Sequence, residues 1–144
     1  MKINIGSGNK PIEGYEGVDI KDYGQEYVFD IEEEWEIESN SVDEIYSSHC
    51  LEHVQHINFV MSEMYRICKP DTVLRIKVPY FKSEGAFRDP GHVRFFTEYT
   101  FYYFNKAFAK QVSYDMEYDF DFEVVSKFIT DNGNNMEVEL RPIK

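Results

Sequence analysis

The chain has 144 residues, 27 Asp and Glu against 15 Lys and Arg (net charge −12), and a 42% hydrophobic fraction. So acidic a surface repels phosphate backbones and anionic headgroups; it argues against nucleic acid or membrane as a partner and for a small neutral or cationic molecule, or a protein. The apolar fraction is enough for a core, no apolar run nears the ~18 residues of a transmembrane helix, and the length suits one domain over residues 1–144.

Cys50 and Cys68 do not make a disulfide framework, and the first residues lack the apolar core and cleavage site of a signal peptide. A cytoplasmic protein with free thiols is expected. In chain order, strands are predicted near 2–5, 16–20, 27–30, 42–47, 72–78, 119–129 and 136–141. Glu32-Glu33-Glu34-Trp35 reads as one helical turn or a loop. A helix is predicted over about 55–68, because Ile57, Val60, Met61, Met64, Ile67 and Cys68 fall on one face; Lys69-Pro70-Asp71 ends it. A second helix is predicted from Thr97, as N-cap, to about Lys110. Phe120-Phe122-Val124 and Met136-Val138-Leu140 alternate with polar residues around Asp131-Asn132-Gly133-Asn134-Asn135, which predicts an antiparallel hairpin. Strands alternating with helices and closed by a hairpin make an α/β sheet.

Two features set this sheet apart. Ten residues separate Ile5 from Glu16 and six separate Ile20 from Tyr27, whereas a helical crossover needs at least ~10–12. Strands buried on both faces should read as continuous apolar runs, yet Ile3 and Ile5 alternate with Lys2 and Asn4. Leu74, Ile76 and Val78 likewise alternate with Arg75 and Lys77. Both observations predict a sheet covered on one side only, which makes the bare face a candidate surface for homo-oligomer formation.

The first strand runs into Gly6-Ser7-Gly8, and the second carries Asp19. A strand, a glycine turn and an acid on the next strand form the nucleotide-binding half of a doubly wound sheet. The glycines admit close approach to the backbone, and the acid can accept from ribose hydroxyls. A dinucleotide site also wants a third glycine, where this chain has Pro11, and a helix N-terminus for the pyrophosphate, for which there is no room. NAD and FAD are disfavoured. S-adenosylmethionine, which has no phosphate, needs no such helix.

In these residues the chain resembles the class I S-adenosylmethionine-dependent methyltransferases, and most closely their small domains. The motifs are Gly6-Ser7-Gly8, Val18-Asp19-Ile20, Phe29-Asp30-Ile31, the run Ser41-Val42-Asp43-Glu44-Ile45-Tyr46-Ser47-Ser48-His49-Cys50-Leu51-Glu52-His53, Lys69-Pro70-Asp71 and Asp89-Pro90-Gly91-His92-Val93-Arg94. The resemblance implies a Rossmann-like sheet in order 3-2-1-4-5-7-6 with strand 7 antiparallel. It implies that Gly6 and Gly8 line the methionine part of the donor, that Asp19 holds the ribose hydroxyls, that Asp30 and Ile31 meet the adenine, and that Ser7 and Ile20 also belong to the donor site. Ser48 and His49 would lie near the methionine amino group and the sulfonium. The chain departs from the family at Lys10, where a further glycine is usual, and in the shortened or missing helices after strands 1 and 2.

The resemblance implies methyl transfer from S-adenosylmethionine, giving S-adenosylhomocysteine, to a small-molecule acceptor. The alternative is a non-catalytic binder or assembly module with a degenerate donor pocket. His92, in a loop beyond strand 5, is the candidate base, since histidine titrates near neutrality. It could instead, with Arg94, simply pin its loop. His49, His53 and His56 would share a face if helical, but His-Cys-Leu-Glu-His is not the zinc-protease pattern, and no metal is expected. The aromatic run from Phe95 to Phe108 reads mainly as core.

Overall fold

The structure, a computed structural model, describes all residues from Met1 to Lys144. Seven strands form one sheet: β1 (Lys2–Ile5), β2 (Glu16–Asp19), β3 (Tyr27–Val28), β4 (Val42–Ser48), β5 (Cys68–Pro79), β6 (Phe122–Thr130) and β7 (Asn135–Pro142). Their order is β3-β2-β1-β4-β5-β7-β6. The first five are parallel, and β7 runs antiparallel to both β5 and β6. The helices are α1 (Ile57–Ile67), α2 (Gly85–Arg88) and α3 (Lys106–Gln111), with 3-10 turns at Leu51–His53, Thr100–Phe104 and Asp131–Gly133. No helix follows β1, β2 or β3, and none is long and apolar enough to cross a membrane.

Register explains the alternation in the sequence. Ile3 pairs with Ile45, Ile45 with Leu74, and Leu74 with Leu140. One row on, Ile5, Ser47, Ile76 and Val138 align in the same way. These residues are buried, and all but Ser47 belong to one core with Val60, Met61, Met64 and Ile67 of α1. Side chains one residue off point to the other face. There Asn4, Tyr46, Arg75 and Glu139 align, and Lys77 pairs with Glu137.

The second face has no helix over it, and ion pairs occupy it instead. Lys2 meets Glu44 at 2.9 Å and Lys77 meets Asp131 at 2.7 Å. Arg75 lies between Glu44 and Glu139, and the Tyr15 hydroxyl donates to Glu44. Burial, together with its bond to Glu44, pushes the Tyr15 phenol up to about 12. The hydrogen bonds from Tyr15 and Lys2 hold Glu44 below its ordinary value. At the sheet's N-terminal edge, Lys69 and the chain's amino group draw Asp43 down to about 2.

Residues 29–41 connect β3 to β4 without a helix, so their backbone needs other partners. Helix α1 supplies them. Glu63 accepts from Trp35 N at 3.2 Å, and the Arg66 guanidinium donates to Trp35 O at 3.0 Å and Ile37 O at 2.8 Å. Trp35 and Ile37 are thereby sealed into the core. The acidic run at 32–34 is a loop, with Glu33 N donating to Asp30 O at 3.0 Å.

The helix predicted from Thr97 to Lys110 does not form. Thr97 Oγ1 accepts from Tyr99 N at 3.1 Å, and Thr97 N donates to Thr100 Oγ1 at 2.9 Å, so Thr97 shapes a turn. Phe101 and Phe104 are both buried, and their three-residue spacing suits the 3-10 period. At Asn105 the backbone is extended (φ −108°, ψ 126°), and the side chain accepts from Phe108 N at 3.0 Å to cap α3. The aromatic segment is core as expected at Phe96, Phe101 and Phe104, while Phe95, Tyr99 and Tyr103 are exposed.

Neighbouring residues of β5 should respond very differently to truncation. Ile76→Ala should cost about 2–5 kcal/mol in urea unfolding, as a core deletion does. Arg75→Ala should cost at most about 1 kcal/mol, as an exposed ion pair does. The depressed carboxylates add a pH dependence. Asp43, at about 2 against an ordinary 3.8, contributes stability at neutral pH because the unfolded chain takes up its proton first. That contribution should fade as the pH falls from 3.8 towards 2, and Asp43→Asn should flatten this part of the acid-unfolding profile.

Candidate functional site

The carboxyl ends of β1, β2 and β4 open onto three adjoining clefts. The first, about 230 Å³, is lined by Gly6, Asp19, Ile20, Asp30, Ile31, Glu32, Cys50, His53 and Val54. The second, about 490 Å³, includes Gly6, Ser7, Gly8, Lys10, Ser48 and His49. The third, about 520 Å³, includes His49, Glu52, His53, Arg88, Asp89 and His92. Gly6 joins the first two, His49 the second and third, and His53 the first and third. The nine residues expected at a donor site thus line the first two clefts, and His92 lies in the third.

Local geometry shows how the chain builds the glycine turn. Gly6 has φ +70°, and a Cβ there would lie 2.6 Å from Cys50 Cβ and 2.7 Å from Cys50 Sγ. Gly8 has φ +53° with open space where a Cβ would stand. The turn is tied down by Val18 O, which accepts from Gly6 N at 2.9 Å and Ser7 N at 3.0 Å. Asp19 Oδ2 accepts from Gly8 N at 2.8 Å, and Oδ1 from Lys21 N at 3.0 Å. The carboxylate so held still has unused lone pairs on both oxygens for hydroxyl donors. Ser7 is buried and its Oγ has no partner.

Ile20, Ile31 and Val54 line the first cleft beside Asp19, Asp30 and Glu32, and Ile20 is 62% exposed. Asp30 Oδ1 accepts from Glu32 N at 2.9 Å, leaving its second oxygen free. Ile31 is fixed through its carbonyl, which accepts from Trp35 Nε1 at 2.8 Å. Cys50, which the sequence reading left out of the site, packs between this cleft and the glycine turn. Burial, reinforced by the nearby Glu52, pushes its thiol up to about 12. Both cysteines are free.

The third cleft forms where two distant segments are strapped together. Glu52 O accepts from Val93 N at 2.8 Å and Arg94 N at 3.2 Å. Arg94 Nε donates to Val54 O at 2.7 Å, and its guanidinium also reaches Gln55 O. His53 Nδ1 lies 3.0 Å from Gly91 O, and His92 Nδ1 lies 3.0 Å from Ala86 O. A carbonyl can only accept, so both rings carry the proton on Nδ1 when neutral and a lone pair on Nε2. The rings meet edge to face with centroids 4.8 Å apart. Arg94 pins the loop; His92 joins in through Nδ1, while its Nε2 lies 3.5 Å from Asp89 Oδ2. His49, His53 and His56 do not share a helix face, because a 3-10 turn at Leu51–His53 ends before α1, whose N-cap is His56.

Sheet order and crevice together define the class I, S-adenosylmethionine-dependent methyltransferase fold. Residues 17–76 match the family model described as a methyltransferase domain. A SAM-dependent methyltransferase from Aquifex aeolicus superposes with a TM-score of 0.68 at 13% identity, over 99% of this chain and 81% of that one. A chain from the complex of the Haloferax volcanii Trm112 methyltransferase activator gives 0.67 at 13% identity, over 97% and 81%. The [4+2]-cyclase SpnF gives 0.69 at 10% identity, over 97% and 73%. No curated protein matches the chain by sequence. At these identities the structural matches establish the fold and not a substrate.

Both thiols should be inert in the folded protein. With Cys50 and Cys68 each raised to about 12, the thiolate fraction at pH 8 is on the order of 10⁻⁴ for each. A thiol-specific disulfide reagent should titrate neither cysteine in native protein and both in denaturant.

Proposed function

We propose that this chain transfers a methyl group from S-adenosylmethionine to a small polar acceptor. The observation that carries the reading is convergence. Nine residues from the ends of β1, β2 and β4 and the loop after β3 line two joined clefts, and these open into a third lined by charged and polar side chains.

The residues present fit the donor. Asp19, already oriented by two backbone N–H groups, would accept from the ribose hydroxyls. The aliphatic pair Ile20 and Ile31 would hold the adenine, with the free Asp30 oxygen at its amine. Gly8, with no side chain in the way, would let the amino-acid end lie against the turn, with Ser7, Ser48 and His49 beside it. Lys10 in the same cleft offers a cation to the carboxylate. When bound, the donor supplies an activated methyl on a sulfonium, so the protein's part is chiefly to position the acceptor.

The third cleft supports a polar acceptor such as a sugar or a hydroxylated metabolite. Apart from Pro79 and Gly85, its lining is His49, Glu52, His53, Glu84, Arg88, Asp89, His92, Asn134 and Asn135. In its neutral form His92 would turn the lone pair of Nε2 toward this cleft, 3.5 Å from Asp89 Oδ2, and that nitrogen could take a proton from the acceptor.

The missing helices after β1 and β2 favour one other reading: a binder that keeps the sheet without the chemistry. Calorimetry with S-adenosylhomocysteine separates the possibilities. Binding that Asp19→Ala abolishes is expected; no heat at millimolar ligand would sink the donor reading. Where binding is found, release of S-adenosylhomocysteine should be followed across polar hydroxyl and amine acceptors. His92→Ala should slow turnover by at least ~10²-fold, and an unchanged rate would discard its role as base.

A further inference from the structure

We infer that Glu52, His53 and His92 form a binding site for a divalent transition metal of the zinc type at the floor of the third cleft. One carboxylate oxygen of Glu52 and one ring nitrogen from each histidine all lie within 4.8 Å of one another. Spacing in the sequence does not suggest this trio; the backbone strap between residues 52–55 and 91–94 brings it together.

Glu52 supplies the independent sign of a ligand. Its side chain is 1% exposed, and neither carboxylate oxygen has a hydrogen-bond partner. A buried carboxylate without partners is costly, and such groups are ordinarily paired or coordinate a metal. The nearest basic atom, His49 Nδ1, lies 3.4 Å from Oε1 but makes no hydrogen bond with it. His49 also sits in the left-handed region at φ +53°, which strains a non-glycine residue and commonly marks a functional position.

The histidines are arranged as ligands. Metal-binding imidazoles usually give their other ring N–H to a carbonyl or carboxylate, which fixes the tautomer and the ring plane. Gly91 O and Ala86 O do this for His53 and His92, each at 3.0 Å. Two imidazoles and a carboxylate suit zinc, iron(II) or cobalt(II) in a site with open positions, and suit magnesium or calcium poorly. The trio lines the third cleft, so an acceptor oxygen bound in that cleft could complete the coordination. That role rests on the methyl-transfer reading; binding of the metal does not. One nitrogen cannot be ligand and base together. In the metal-loaded protein, His92 therefore holds the ion, and a ligated hydroxyl, acidified by the metal, loses its proton to solvent.

The test is a zinc titration of tag-free, chelator-treated protein by calorimetry near neutral pH, together with melting curves with and without Zn²⁺. One equivalent should bind and raise the melting temperature. Glu52→Gln and His92→Ala should each weaken binding at least about tenfold, whereas His56→Ala, outside the cluster, should leave it unchanged. Glu52→Gln keeps the side chain's size and removes its buried charge. Without zinc it should therefore melt no lower than the wild type, and adding zinc should no longer raise its melting temperature. Absence of binding, several weak equivalents, or affinity unchanged in both cluster variants overturns the site. So does a metal-free Glu52→Gln protein that melts well below the wild type, because the carboxylate would then be serving the fold. Loss of zinc binding with S-adenosylhomocysteine binding intact, or the reverse, separates failure of this site from failure of the donor reading.

Discussion

Burial of one face of the sheet is the constraint on which the rest depends. The rows Ile3–Ile45–Leu74–Leu140 and Ile5–Ser47–Ile76–Val138 run across four strands and meet the apolar stripe of α1 in a single core. Because a strand's side chains alternate in direction, committing one set to the core commits the other to the opposite face. The first crossovers are too short to bring a helix there. Lys2, Glu44, Arg75, Lys77, Glu137 and Glu139 therefore satisfy one another in cross-strand pairs, which suit an exposed, hydrated surface far better than an apolar row would.

One-sidedness also governs the site. In an open α/β sheet, ligands sit beyond the carboxyl ends of the strands, and in this chain those ends are finished by loops. Asp19 braces the glycine turn through Gly8 N, so an acid that lines the first cleft also holds the turn's shape. Gly6 is required as much by Cys50 packed against it as by any ligand. Residues 29–37, which supply one wall of the first cleft, are held by Glu63 and Arg66 of α1. The cleft is thus supported through the covered face and open to solvent elsewhere, as the exposed Ile20 shows.

Much of the fold was legible in the sequence because its signals are periodic and local. The alternation in β1 and β5, the stripe in α1 and the turn residues between β6 and β7 each report a face or a reversal directly. The failure at Thr97 is also physical. The predicted helix rested on Thr97 as an N-cap, but the aromatic run that follows is a poor helix former, and burial of Phe101 and Phe104 three residues apart favoured a 3-10 turn. Asn105 then broke the run by capping α3 and bonding across to Phe122 O at 2.9 Å. β5 begins earlier than expected, at Cys68, because Lys69-Pro70-Asp71 ends the helix by passing straight into extended backbone and a register shift against β4.

The sequence by itself determined the sheet, its covered face and the cluster of Gly6, Gly8 and Asp19, since strand periodicity, chain reach and the conformational freedom of glycine are properties of short segments. Only the tertiary structure decided how the histidines group. His49, His53 and His56 look like neighbours along the chain but do not share a helix, whereas His53 and His92 are distant in sequence and stand edge to face. That contact depends on backbone hydrogen bonds from Val93 and Arg94 to Glu52 O. Bonds of this kind use groups that every residue carries, and so leave no mark in the sequence.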